Sequence, residues 1–147
     1  MNNLGKNTLP GMSAVEDQES REYRKIFNAG DIYDGIRIAV DTLDVENAGK
    51  THILRPGLVL IRVEAGGSAG KYVHATHASV PAHADIKDCV VLNEFVNMNE
   101  TGASAEKLAH GLVHGVVSES LLLWGTADAD DKAAMKAALK AGGIIFK

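Results

Sequence analysis

Short apolar-rich runs set between turn residues constrain this chain more than any other feature: Leu58 to Val63, Cys89 to Val96 and Leu108 to Val117 are each of strand length. Leu58 to Val63 is apolar except for Arg62, the pattern of a strand covered on both sides. A fourth segment alternates instead. Ile36, Ile38 and Val40 are interleaved with Arg37, Ala39 and Asp41, which puts three branched side chains on one face of a half-buried strand. Asn47-Ala48-Gly49-Lys50 and Arg55-Pro56-Gly57 mark turns, and Gly66 to Gly70 is a flexible hairpin connection into Lys71-Tyr72-Val73. His74 to Asp85, with Pro81 inside it, and Asn97 to Glu106 read as loops.

Only one segment has a strong helical period. From Ala127 to Ala141, Met135 and Leu139 share a stripe with Ala134 and Ala138, Asp128, Asp130 and Asp131 lie at the positive end, and Gly142-Gly143 stops the helix. Ile144-Ile145-Phe146 then closes the chain as a last strand against the core. Many short strands with one short helix predict a mainly β domain. With 46% hydrophobic and 23% charged residues in 147, the chain has enough apolar material for one core.

Met1 to about Arg24 keeps no such period. Polar and turn-forming residues there surround isolated Leu4, Leu9, Met12 and Val15, which predicts a flexible arm over 1–26 and a domain over 27–147. Val15 to Phe27 can form a short helix but has too few apolar residues to be held by a packed face. The arm's apolar residues read either as isolated side chains of a polar tail or as a partner-docking segment that orders on contact.

Fifteen Lys plus Arg against nineteen Asp plus Glu give a net charge of -4, without the basic excess that a phosphate backbone requires, so nucleic acid is not an expected partner. No stretch approaches the roughly 20 apolar residues of a membrane span, and the N-terminus has no signal-peptide core. The lone Cys89 serves as a small buried apolar residue, which fits a reducing compartment and a soluble, unexported protein.

The residues that can carry chemistry do not converge. Gly66 to Lys71 has three residues between Gly66 and Gly70, Tyr72 after the lysine and a strand to follow, unlike a phosphate-binding loop. His74, His77 and His83 lie within ten residues and can collect a transition metal. Against this, an extended chain points His74 and His77 to opposite faces, which leaves them as solvated loop histidines. His110 and His114 would share one face of a strand but stand roughly 13 Å apart, too far for one ion. Ser118 and Ser120 flank Glu119 without a nucleophile elbow, and the Asp128, Asp130, Asp131 group reads as helix-start charge. No catalytic residue, metal or cofactor is assigned.

The order of the pieces resembles the head decoration proteins of tailed phages, the family of the lambda-type capsid-stabilising protein, over about Phe27 to Lys147. The residues that carry it are Asn28-Ala29-Gly30-Asp31, the strand around Ile36 to Val40, Leu54-Arg55-Pro56-Gly57-Leu58-Val59-Leu60, and Gly70-Lys71-Tyr72-Val73. Cys89-Val90-Val91-Leu92, His114 to Leu121, the acidic helix and the ending Lys140 to Lys147 complete the set. Asn93-Glu94-Phe95 and the bulky Leu122-Leu123-Trp124 depart from the family pattern.

The resemblance implies a β-clip-like domain with a short C-terminal helix that forms a homotrimer on the outside of the expanded icosahedral shell at threefold positions. There it would clamp the major capsid protein against internal DNA pressure, without catalysis, small-molecule substrate or membrane. The protein would be made in the host cytoplasm and end on the virion surface. The arm, with Leu4, Leu9, Met12, Val15 and Tyr23, is then the expected capsid-touching part. Leu122 and Trp124, in a dense apolar patch, belong either to the domain core or to the trimer interface. Two other readings stand beside this one: a small β-barrel metalloprotein using His74, His77 and His83, and an interaction module of another assembly.

Overall fold

The structure, a computed structural model, describes residues 31–147. The arm 1–26 with Leu4, Leu9, Met12, Val15 and Tyr23, the helix considered over Val15 to Phe27, and all but Asp31 of the first turn lie outside the described residues.

The described residues form strands β1 (Ile32–Ile38), β2 (Ile53–Leu54), β3 (Val59–Arg62), β4 (Tyr72–Val73), β5 (Cys89–Leu92), β6 (Val96–Asn97), β7 (Lys107–Val117) and β8 (Ile144–Phe146). One α-helix, α1 (Ala129–Gly142), precedes β8, and single 3-10 turns occupy His83–Asp85 and Glu119–Leu121. The domain is mainly β with a C-terminal helix, as the sequence predicts.

Hydrogen bonding runs in the order β1-β4-β3-β5-β7, and β7 returns to β1, so these five strands close on themselves as a barrel. The β1–β7 pairing is long and antiparallel, from Ile38↔Lys107 to Ile32↔His114, whereas β1 meets β4 in parallel at Ile38↔Tyr72 alone. Strand β8 adds parallel to the far end of β7, through Gly115↔Ile144 to Val117↔Phe146.

Closure explains the doubly apolar runs. Ile36, Ile38, Leu58, Leu60, Val90, Leu92 and Ala109 point to one side, where Leu54, Val96 and Met98 of the β2–β6 ribbon region join them. Their neighbours Val59, Ile61, Cys89, Val91 and Leu112 point to the other side and pack with Met135, Ala138 and Leu139 of α1. Successive side chains of a strand leave opposite faces, so a wall with a core on each side must be apolar throughout.

Helix α1 starts and stops as its residues dictate. The Asp128 carboxylate accepts from Asp131 N–H at 2.8 Å, and Gly143 ends the helix at φ +117 with its N–H returned to Leu139 and Lys140 carbonyls. The helix is shifted by one or two residues from the expected Ala127 to Ala141.

Two expectations are corrected. Val40 does not continue the β1 face: the strand ends at Ile38, the chain turns through Asp41 at φ +62, and Val40 is exposed. Cys89 to Val96 is not one strand: the chain turns after Leu92, where Asn93 N–H donates to the His110 carbonyl, and pairing resumes with β2 at Val96. The closing Ile144-Ile145-Phe146 is the expected strand against the core, with Ile144 buried and Phe146 packed on that core, while Ile145 is 58% exposed because β8 alternates like any strand.

Candidate functional site

Among the described residues, the histidines considered for a metal site do not meet. His74 is fully buried, which corrects the expectation of a solvated loop histidine. Its turn folds inward, with His77 N–H donating to the His74 carbonyl at 2.9 Å, and brings Nδ1 to 3.1 Å from the Val59 carbonyl. Burial pushes this ring below the ordinary histidine range, more than the Val59 bond, Asp44 and Glu46 raise it. His77 bonds the Val40 carbonyl and the Ser79 N–H, while His83 faces Asp131 at 3.7 Å. Among the described residues no three His, Cys, Asp or Glu side chains are gathered for a metal ion.

His110 and His114 leave opposite sides of β7, contrary to the expectation of one face. The pairing slips between Tyr33↔Leu112 and Ile32↔His114, so Val113 is an extra residue and reverses the alternation. His110 pairs through Nδ1 with Glu94 at 2.9 Å. Ser118 and Ser120 bond each other at 3.0 Å, and Glu119 pairs with Lys136 instead, whose ammonium holds that carboxyl below the usual range. Cys89 is buried, and burial, then the Asp88 charge, pushes its thiol up to about 12. Burial, then the Asp88 carboxylate that its hydroxyl donates to at 3.1 Å, raises the Tyr72 phenol.

Leu122 and Trp124 are 6% and 8% exposed and lie in the core beside Met135, Leu139 and Ile144. The Trp124 ring stacks on Phe146 with centroids 6.4 Å apart, and Lys132 sits over its face at 5.3 Å. Their surface is taken up inside the chain, so what this stretch offers another molecule is Leu121, 46% exposed.

The surface that the sequence reading missed lies on β1, β7 and β8. On the outer wall of the β1–β7 pair, Leu108 is 78% exposed opposite Arg37, with Tyr33 and His110 on the same face. Beyond the Val113 bulge the other side of the sheet runs past the barrel, and Ile32, His114, Val116 and Ile145 share a face by register. Ile32 is 54% exposed. Exposed aliphatic side chains therefore lie on both sides of these adjoining strands, Leu108 on one and Ile32 with Ile145 on the other, and each gains by being covered. Ile32 is also where the chain arrives from residues 1–30. An apolar run cannot announce this, because exposure depends on the bulge and on where β8 ends. Comparison with protein-family models, with curated proteins and with solved structures gave no match.

Proposed function

We propose that this chain is a structural virion protein that binds as a homotrimer to the outside of an expanded icosahedral phage capsid at threefold positions. It holds the major capsid protein against internal DNA pressure and makes or breaks no bond. The observation that carries the reading is the exposed aliphatic face of Ile32 on β1 and Ile145 on β8, set where the N-terminal segment joins the barrel. The resemblance adds to it: Leu58 to Leu60, Tyr72-Val73, Cys89 to Leu92, His114 to Val117 and Ile144 to Phe146, among the residues that carry it, lie in or beside paired strands rather than in surface loops.

The mechanism is linkage. A ligand that binds only the expanded shell stabilises it by RT ln(1 + [L]/Kd), about 4 kcal/mol when free ligand exceeds Kd a thousandfold. Three copies presented together add avidity without new contact chemistry. An acidic chain suits an outer surface rather than contact with packaged DNA.

Co-sedimentation with expanded and unexpanded shells of the parent phage tests this. Binding to the expanded form alone is the expected result, and equal binding to both, or to neither, overturns it. Deleting Met1 to Ser20 is expected to leave the assembly of the domain intact and to abolish shell binding; retained binding would remove the arm from the mechanism.

A further inference from the structure

The turn from His74 to Val80 fastens one end of the barrel, and it does so with histidine rings each held in a single form. His74 is fully buried. Its Nδ1 faces the Val59 carbonyl at 3.1 Å, and a carbonyl only accepts, so Nδ1 carries the proton and Nε2 is a bare lone pair. Among the described residues Nε2 has no hydrogen-bond partner. Gly125, at φ +70, lies so close against Nε2 that a methyl group there would overlap the ring. His77 uses both nitrogens: Nδ1 accepts from Ser79 N–H at 3.0 Å, and Nε2–H donates to the Val40 carbonyl at 2.8 Å.

Through the Val59 and Val40 bonds and the Gly125 packing contact the turn meets three separate parts of the chain. Val59 is the first residue of β3, Val40 lies just past the end of β1, and Gly125 follows the segment whose Leu123 carbonyl accepts from Val59 N–H at 3.0 Å. The charged groups acting on the His74 ring come from the loop before β2 and from its end. Asp44 and Glu46 favour a cation there and Arg55 opposes it. Asp44 is already engaged by Arg55, at 2.7 Å and 3.2 Å.

We propose that the His74 turn is an acid-sensitive latch: a proton on Nε2 creates a buried N–H with no acceptor, the ring leaves its seat, and this end of the barrel loosens while the β1–β7 wall stays paired. The device does not depend on what the protein binds. Because the latched ring titrates below its ordinary value of about 6.5, the open form takes up the proton first. The latch is therefore fully held above about pH 6.5 and weakens as pH falls, with the opening equilibrium rising by up to about tenfold per pH unit until the latched ring itself protonates.

An imidazole nitrogen NMR titration of the full chain from pH 8 to pH 4, with amide exchange corrected for intrinsic rates, tests the latch. His74 is expected to remain the Nδ1–H form below its ordinary range. The His77 and Val80 amides should open more readily with each step into acid while those of β7 hold. The variant His74→Gln, which cannot titrate, should lose this acid dependence. The proposal fails if the ring titrates at its ordinary value, if exchange of the turn is flat from pH 7 to pH 5, or if β7 opens in step with the turn. An unchanged acid response in a folded His74→Gln would also overturn it; if that variant does not fold, the wild-type titration decides alone.

Discussion

Gly125 shows how much one residue can decide. At φ +70 with its Cα against the His74 ring, it has neither the backbone freedom nor the room to accept a side chain. Gly125→Ala is expected to cost about 1–2 kcal/mol from the backbone alone, and more once the ring is displaced, read as a lower midpoint in chemical denaturation. Cys89 illustrates the opposite case, a reactive residue type made inert by position. With its thiol raised to about 12 and its side chain between β3 and α1, it is expected to resist alkylation at pH 8 and to react at once in denaturant. Fast labelling of the native protein would contradict the burial. The same burial makes His74 structural, although its spacing to His77 and His83 is that of a loop that can hold a metal.

At the scale of elements, α1 is held by its ends and one face. Asp128 caps it, so Asp128→Ala is expected to cost about 1 kcal/mol, while Leu139→Ala, at a fully buried position over β5, should cost about 2–5 kcal/mol. Thermal or denaturant unfolding would rank the two, and equal losses would place Leu139 outside the core. Lys136 and Lys140 lie over the Phe146 ring at 5.3 and 5.8 Å, so the polar face of the helix also serves to cover β8. Strand β7 does different work on either side of Val113. Before the bulge it is a barrel wall, and beyond it the strand carries β8 and exposes His114.

At the scale of the molecule, the barrel separates residues that hold the fold from residues that are free to bind. Leu108→Ser and Ile145→Ser, both at highly exposed positions, are expected to change unfolding free energy by no more than about 0.5 kcal/mol and to weaken shell binding measured by co-sedimentation. Unchanged binding by the double variant would remove both exposed patches, one on each side of the sheet, from the docking proposal. The sequence by itself determined the local choices. Turn residues placed the breaks at Arg55-Pro56-Gly57 and Gly66 to Gly70, and the apolar runs marked β3 and β5 as covered on both faces. Helical spacing with aspartates before and glycines after marked α1. Those signals are legible because they act between residues close in the chain. Tertiary structure alone decided that β1 closes against both β4 and β7, that Val113 reverses the faces of β7, that Trp124 is covered while Leu108 is not, and that His74 turns inward. Each of these depends on contacts between residues far apart in sequence, such as Val59 with His74 and Ile32 with His114, whose geometry exists only once the barrel has closed.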